Sequence, residues 1–153
     1  MIKKSSLRRI GTLTGILSAA FLLSITQASA VSREAERATD RVGPGNELDN
    51  VCNRKGANGA SIVCYFGQGD WIKIEDEGSD GYSAVMDWEI RDRENRTVRY
   101  GSTFNADGYA TARYKNKNFP DSSHSIRFRA CLGHWSTRLI AAGTCSSWIS
   151  TDT

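Results

Sequence analysis

Four cysteines, Cys52, Cys64, Cys131 and Cys145, stand in a chain that opens with a secretory leader, and this pairing constrains the fold more than any other feature. Residues 1–30 begin with Lys3, Lys4, Arg8 and Arg9 and continue through the uncharged run IGTLTGILSAAFLLSI. They end on Ala28-Ser29-Ala30, the small-x-small pattern that a signal peptidase cuts. A leader of this kind is removed and delivers the rest of the chain to an oxidising compartment, where an even number of cysteines reads as two disulfides. A secreted, extracellular product with no membrane span after processing is expected.

Hairpin arithmetic suggests which cysteines pair. A three-residue loop, Ala57 to Gly59, within GANGAS sets Cys52 directly across from Cys64. If Cys131 and Cys145 also face each other, Arg129 meets Ser147 and Phe128 meets Trp148 on the buried side. That places an aromatic pair where a core needs one. The expected bridges are Cys52–Cys64 and Cys131–Cys145, with crossed pairing as the alternative. Each closes a loop of a dozen or so residues and contributes on the order of 3 kcal/mol in the chain-entropy picture. Zinc needs thiolates, so oxidation removes the metal reading of Cys131-x2-His134. No metal or other cofactor is expected.

Removing the leader also changes the charge. Of 20 basic and 17 acidic residues, four basic ones lie in 1–30, leaving 16 against 17, a net of −1. Net charge therefore gives no ground for a general polyanion binder and argues against a nucleic-acid partner. Residues 31–50 are highly charged, poor in large apolar side chains and broken by Gly43-Pro44-Gly45, which predicts a disordered tail or propeptide. One domain is expected over 51–153, and a monomer.

That domain reads as all-β. Runs rich in Val, Ile, Tyr, Trp and Thr recur every eight to twelve residues between Gly, Asn and Asp clusters. Strands are predicted near 60–66, 70–75, 82–90, 97–104, 109–115, 125–132 and 144–150. The expected fold is a disulfide-stapled two-sheet sandwich, Ig-like or similar, with a small barrel as alternative. Alternation puts Tyr82, Ala84, Met86, Trp88 and Ile90 on one core-facing side, as it does Ile126, Phe128 and Ala130. Val98, Tyr100 and Phe104 are taken as core on the same ground, opposite Arg99 and Thr103. A three-residue loop, Ala106 to Gly108, is expected to form a hairpin setting Phe104 across from Ala110 and Tyr100 across from Tyr114.

Chemistry is harder to find. A ribonuclease-like site needs a carboxylate base, a histidine acid and an arginine for phosphate, and Glu89, His124 and Arg127 can be nominated. Cross-strand ion pairs on a solvated sheet account for the same residues. No G-x-S-x-G elbow and no phosphate-loop glycine pattern occurs. Carboxylates placed for sugar hydrolysis are invisible in one dimension, so a small extracellular hydrolase stays as the alternative. The favoured reading is a non-catalytic binding module for an unknown protein or polysaccharide. Its candidates are an outward arginine row, Arg99, Arg113, Arg127 and Arg129, with Trp71, Tyr109 and Trp135 as aromatic anchors. Asp87, Glu89 and Glu75 interleaving with the row would make it a plain ion-pair ladder.

Cys64-Tyr65, Gly69-Asp70, the stretch from Asp80 to Trp88 and Cys145-Ser146-Ser147-Trp148 together resemble a group of small secreted actinomycete β-proteins of uncharacterised function. The likeness covers about residues 60 to 150, its motifs are structural, and it implies no site residues. In size, export and two disulfides the chain is also similar to actinomycete amylase inhibitors of β-sandwich form. It lacks their Trp-Arg-Tyr recognition triplet.

Overall fold

A computed structural model describes residues 31–45, 50–55, 60–120 and 123–153; the expected leader and the Ala57–Gly59 loop lie outside these. The chain is all-β, a two-sheet sandwich. Its strands are β1 (Glu34–Arg37), β2 (Asn50–Lys55), β3 (Ser61–Phe66), β4 (Trp71–Asp76), β5 (Ser83–Arg91), β6 (Thr97–Asn105), β7 (Thr111–Asn116), β8 (Ser125–His134), β9 (Leu139–Ile140) and β10 (Ile149–Asp152). The larger sheet runs β1-β6-β5-β8-β10, with β9 pairing the end of β8, and the smaller runs β2-β3-β4-β7. No described helix is long and apolar enough to cross a membrane.

The core lies between the sheets and follows the period-two pattern. β3 and β4 contribute Val63, Tyr65, Ile72 and Ile74, while β5 and β8 contribute Ala84, Met86, Trp88, Ile90, Ile126, Phe128 and Ala130. Phe119, from the β7–β8 connection, sets its ring 5.1 Å from that of Trp88, edge to face. Tyr82, expected in this row, instead precedes β5, is 36 % exposed and stacks on His134. Both expected disulfides are present, and Cys52 sits opposite Cys64 in the β2–β3 register.

Residues 31–45 are not simply a tail. β1 adds to the larger sheet parallel to β6, with Glu34 opposite Gly101 and Arg37 opposite Phe104, and Asp40 then bridges to Tyr114 of the smaller sheet. The segment straps the two sheets along one open edge and buries Ala38 in the core. Composition hides this because the strap is held by charge: Glu34 meets Arg99 and Lys117, and Glu36 meets Lys115 and Lys117.

β6 turns the other way from its expected facing. Thr103 and Asn105 are buried, and the Trp88 indole N–H donates to Thr103 Oγ1 at 3.1 Å, satisfying a polar group inside the core. Gly101 lies opposite Trp88, where a Cβ would come within 2.7 Å of the indole and 2.8 Å of Glu34 Cβ, so only glycine lets the strap approach. Val98 is consequently exposed and Tyr100 half-buried. Phe104 is buried, but on the outer side, in a second small cluster with Val85, Cys131, Trp135 and Ile140.

Nor do β6 and β7 form a hairpin. β6 pairs with β5 and β1, β7 pairs with β4, and residues 106–110 carry the chain from one sheet to the other. The Asn105 amide secures the crossing by donating to the carbonyls of Ile74 and Thr111.

The last strand holds the most consequential difference. Near the second disulfide the chain keeps the expected register: Ser146 N donates to the Ala130 carbonyl at 2.8 Å. From Ile149 onward it is offset by one, with Ile149, not Trp148, opposite Phe128. A one-residue offset exchanges faces. Ile149 packs against the core, and Trp148 turns out over the larger sheet.

Candidate functional site

The outer face of the larger sheet gathers the strongest concentration of polar and aromatic chemistry. β5 and β8 are antiparallel, with Asp87 opposite Arg129 and Glu89 opposite Arg127. Each pair closes as a fork-like ion pair: Arg129 Nε donates to Asp87 Oδ2 at 2.9 Å and Arg127 Nε to Glu89 Oε2 at 2.8 Å. Trp148 lies over both guanidinium groups, its ring centre 4.6 Å from Arg127 Cζ and 4.4 Å from Arg129 Cζ. Partly exposed cation–π contacts of this kind contribute up to about 1 kcal/mol each and hold a flat ring at a fixed place.

Beside this ladder opens a cleft of ≈ 360 Å³, lined by Arg33, Asp87, Arg129, Arg138, Leu139 and Ile140. Asp87 is buried at its floor and shared: Arg33 Nη2 donates to Asp87 Oδ1 and to Ser102 Oγ, both at 2.5 Å, while Arg129 donates to Oδ2. Arg138 is exposed at the rim, its guanidinium 5.5 Å from the centre of the Trp135 ring, and Leu139 is 65 % exposed. Arg33, Arg91, Arg127, Arg129 and Arg138 against Asp87, Glu89 and Asp152 give this face 5 − 3 = +2. Residues 31–153 net −1, so the rest of them carry −3. Charge is therefore segregated onto one surface, which is what steers an anion.

The nominated arginine row does not exist as one row. Arg127 and Arg129 share the outer face, but Arg99 points across the sandwich edge to Glu34, with its guanidinium 5.6 Å from the centre of the Trp88 ring. Arg113, on the smaller sheet, donates to Asp107 Oδ2 at 2.6 Å. Among the aromatics, Trp135 belongs to this side of the larger sheet, packed 5.6 Å from Phe104. Trp71 is on the smaller sheet opposite Asn116, and Tyr109, 61 % exposed, is in the crossing between sheets. Of the binding candidates, Arg127, Arg129 and Trp135 fall on one face. Trp148, expected on the buried side, joins them through the register offset, and Arg33 joins them from a segment whose sequence reads as a tail.

The catalytic trio is also divided. Glu89 Oε2 accepts from Arg91, Thr97 and Arg127. Burial pushes its carboxyl up, but these donors outweigh that and hold it below the ordinary glutamate value, which makes it a weak proton acceptor. His124 lies just before the start of β8, roughly 10 Å along the strand from Arg127, in a separate polar cleft of ≈ 580 Å³ with Asp92, Asn95 and Asp152. Asp87, Cys131 and Cys145 bring three ligand-type atoms within 4.8 Å of one another, but the sulfurs are joined in a disulfide and offer no thiolate.

No family model matches the chain, and no curated protein does. Among solved structures, an endonuclease/exonuclease/phosphatase from Beutenbergia cavernae matches at 12 % identity and a TM-score of 0.31, over 68 % of this chain and 26 % of that one. The chain thus spans about a quarter of that protein's length.

Proposed function

We propose that the protein is a secreted, non-catalytic binding module that takes an anionic polysaccharide on the outer face of its larger sheet. The observation that carries this reading is Trp148 lying across Arg127 and Arg129. It offers a flat apolar ring for a sugar face, beside guanidinium groups that can fork to a sugar carboxylate. The adjoining cleft adds Arg33 and Arg138, with Leu139 as an apolar rim. Two disulfides suit an extracellular setting, where covalent staples support a small core.

Affinity electrophoresis tests the reading directly. Migration should be retarded in gels containing a polyuronate but not starch, with retardation falling as salt rises. Trp148→Ala and Arg138→Ala should each weaken it about tenfold, the loss expected for one anchor contact, whereas Tyr109→Ala should not. Equal retardation by starch, or none by polyuronate, would refute the proposal. Retention of single-stranded DNA that survives in Trp148→Ala would indicate charge alone. Breakdown of the polymer that disappears on replacing Glu89 or His124 would favour a hydrolase instead.

A further inference from the structure

The turn between β4 and β5 concentrates negative charge that no basic side chain among the described residues pairs with. Asp76, Glu77 and Asp80 fall within five residues, and none has an ion-pair partner among the described residues, whereas Glu34, Glu36, Asp87, Glu89 and Asp107 each meet a basic side chain. Asp76 is 0 % exposed, and its Oδ2 is a buried oxygen without a partner. Directly opposite it in the β3–β4 register stands Ser61, also 0 % exposed, whose hydroxyl is likewise buried and unpartnered. Two orphaned oxygens at one register position are a costly arrangement for a folded protein to keep without use.

The local backbone favours gathering oxygens there. Asp76 Oδ1 accepts from Gly78 N at 3.1 Å, and Asp80 Oδ1 accepts from Tyr82 N at 3.0 Å, leaving Oδ2 of each carboxylate uncommitted to the turn. A Cβ at Gly78 would stand 3.0 Å from Asp80 Oδ2 and 3.2 Å from Ala60 Cβ, so glycine keeps this space open. Burial pushes the Asp76 carboxyl above the ordinary aspartate value. The N–H groups of Gly78 and Ala84 only partly offset this, and the charges of Asp80 and Glu77 add to it.

We propose that this turn is a calcium site in which the Asp76 carboxylate and the Ser61 hydroxyl are the buried ligands and Asp80 closes on the ion from the exposed side. An all-oxygen set with two carboxylates suits a hard cation, and turn carbonyls and water can complete the shell. Magnesium, which demands tighter octahedral geometry and sheds water reluctantly, fits an open turn less well. With so few charges the affinity belongs to the range of extracellular modules, a Kd of about 1 mM or somewhat below.

The test is thermal unfolding of the disulfide-intact chain after dialysis against chelator, in CaCl2, MgCl2 or NaCl of matched ionic strength. Calcium at about ten times Kd should raise Tm by roughly 5 °C in a saturable way, as linkage requires. The rise should vanish in Asp76→Asn and need at least ten times more calcium in Asp80→Asn, while Asp152→Asn should respond as the unmodified protein does. Because Asp80 is exposed, its variant should fold even if the Asp76 variant does not. No calcium-specific rise, or an undiminished one in Asp80→Asn, would overturn the proposal.

Discussion

The Lys117 ammonium lies 2.8 Å from the carboxylate of Glu34, a residue 83 positions earlier, and also meets Glu36. Its side chain is only 2 % exposed, seated 4.6 Å above the Trp88 ring. The N-terminal strap therefore supplies the counter-charge for a buried cation on the opposite side of the sandwich edge. Replacing both carboxylates (Glu34→Ala with Glu36→Ala) should cost roughly 2 kcal/mol, below the full penalty for breaking a buried pair because both carboxylates are partly exposed to water. Adding Lys117→Met should recover most of the loss, since the stranded charge then disappears. Urea unfolding of the three variants checks this; if the triple variant is the least stable, the ion pairs themselves hold the strap.

Acid should loosen the same edge. Burial raises the Glu34 carboxyl, but Arg99 and Lys117 outweigh it and keep its pKa below the ordinary 4.5. Asp107, raised by burial and lowered more strongly by Arg37 and Arg113, sits below its ordinary 3.8, and Glu89 is lowered likewise. A carboxylate with a depressed folded pKa contributes stability that is whole above its unfolded value and is lost as pH falls through the folded one. The urea midpoint should thus stay level down to about pH 5 and fall below it. Glu34→Gln and Glu89→Gln should each flatten the fall. Asp76, with its raised pKa, works in the opposite sense and partly offsets it.

The two staples should differ in consequence although they close similar loops, with separations of 12 and 14 residues. Replacing either pair by alanine should cost on the order of 3 kcal/mol. Cys131–Cys145 also covers the outer cluster of Val85, Phe104, Trp135 and Ile140, and Ile140 lines the cleft. Its removal should therefore weaken polyuronate retention as well as stability, while removal of Cys52–Cys64 should affect stability alone. Equal effects on retention would separate the cleft from the bridge beside it.

What was legible in the sequence depended on whether the deciding contact was local. β4 and β5 could be read because Ile72, Ile74, Met86 and Trp88 alternate within their own strands, and Cys52–Cys64 followed from hairpin register, whereas Cys131–Cys145 is present although the Phe128–Trp148 pair expected beside it is not. β6 was misread because counting apolar residues favours Val98, Tyr100 and Phe104, whereas its facing is set by the Trp88 indole seeking Thr103 and by Gly101 making room for the strap. The strap was invisible as a strand since Glu34 and Glu36 gain their reason only from Arg99, Lys115 and Lys117, far along the chain. The surface was half legible. Arg127 and Arg129 alternate correctly with the core, but placing Trp148 required knowing where one extra residue is absorbed between Ser146 and Ile149.

Arg33 links the strap to the proposed binding cleft. It precedes β1 by one residue, yet its guanidinium reaches Asp87 on the cleft floor and the neighbouring Ser102. An anion held there by Arg33, Arg129 and Arg138 would gain from the docked strap, and by reciprocity its binding would stabilise docking. The strap buries little apolar surface beyond Ala38, so it belongs to the locally unstable part of the fold where such coupling is measurable. Polyuronate should therefore slow hydrogen exchange at the Ala38 amide, which donates to the Phe104 carbonyl at 2.8 Å, and leave the central amides of β5 unchanged. Arg33→Ala should weaken retention about tenfold and abolish the added protection together. Retention without protection would leave the cleft as a binding site but free the strap from any part in it.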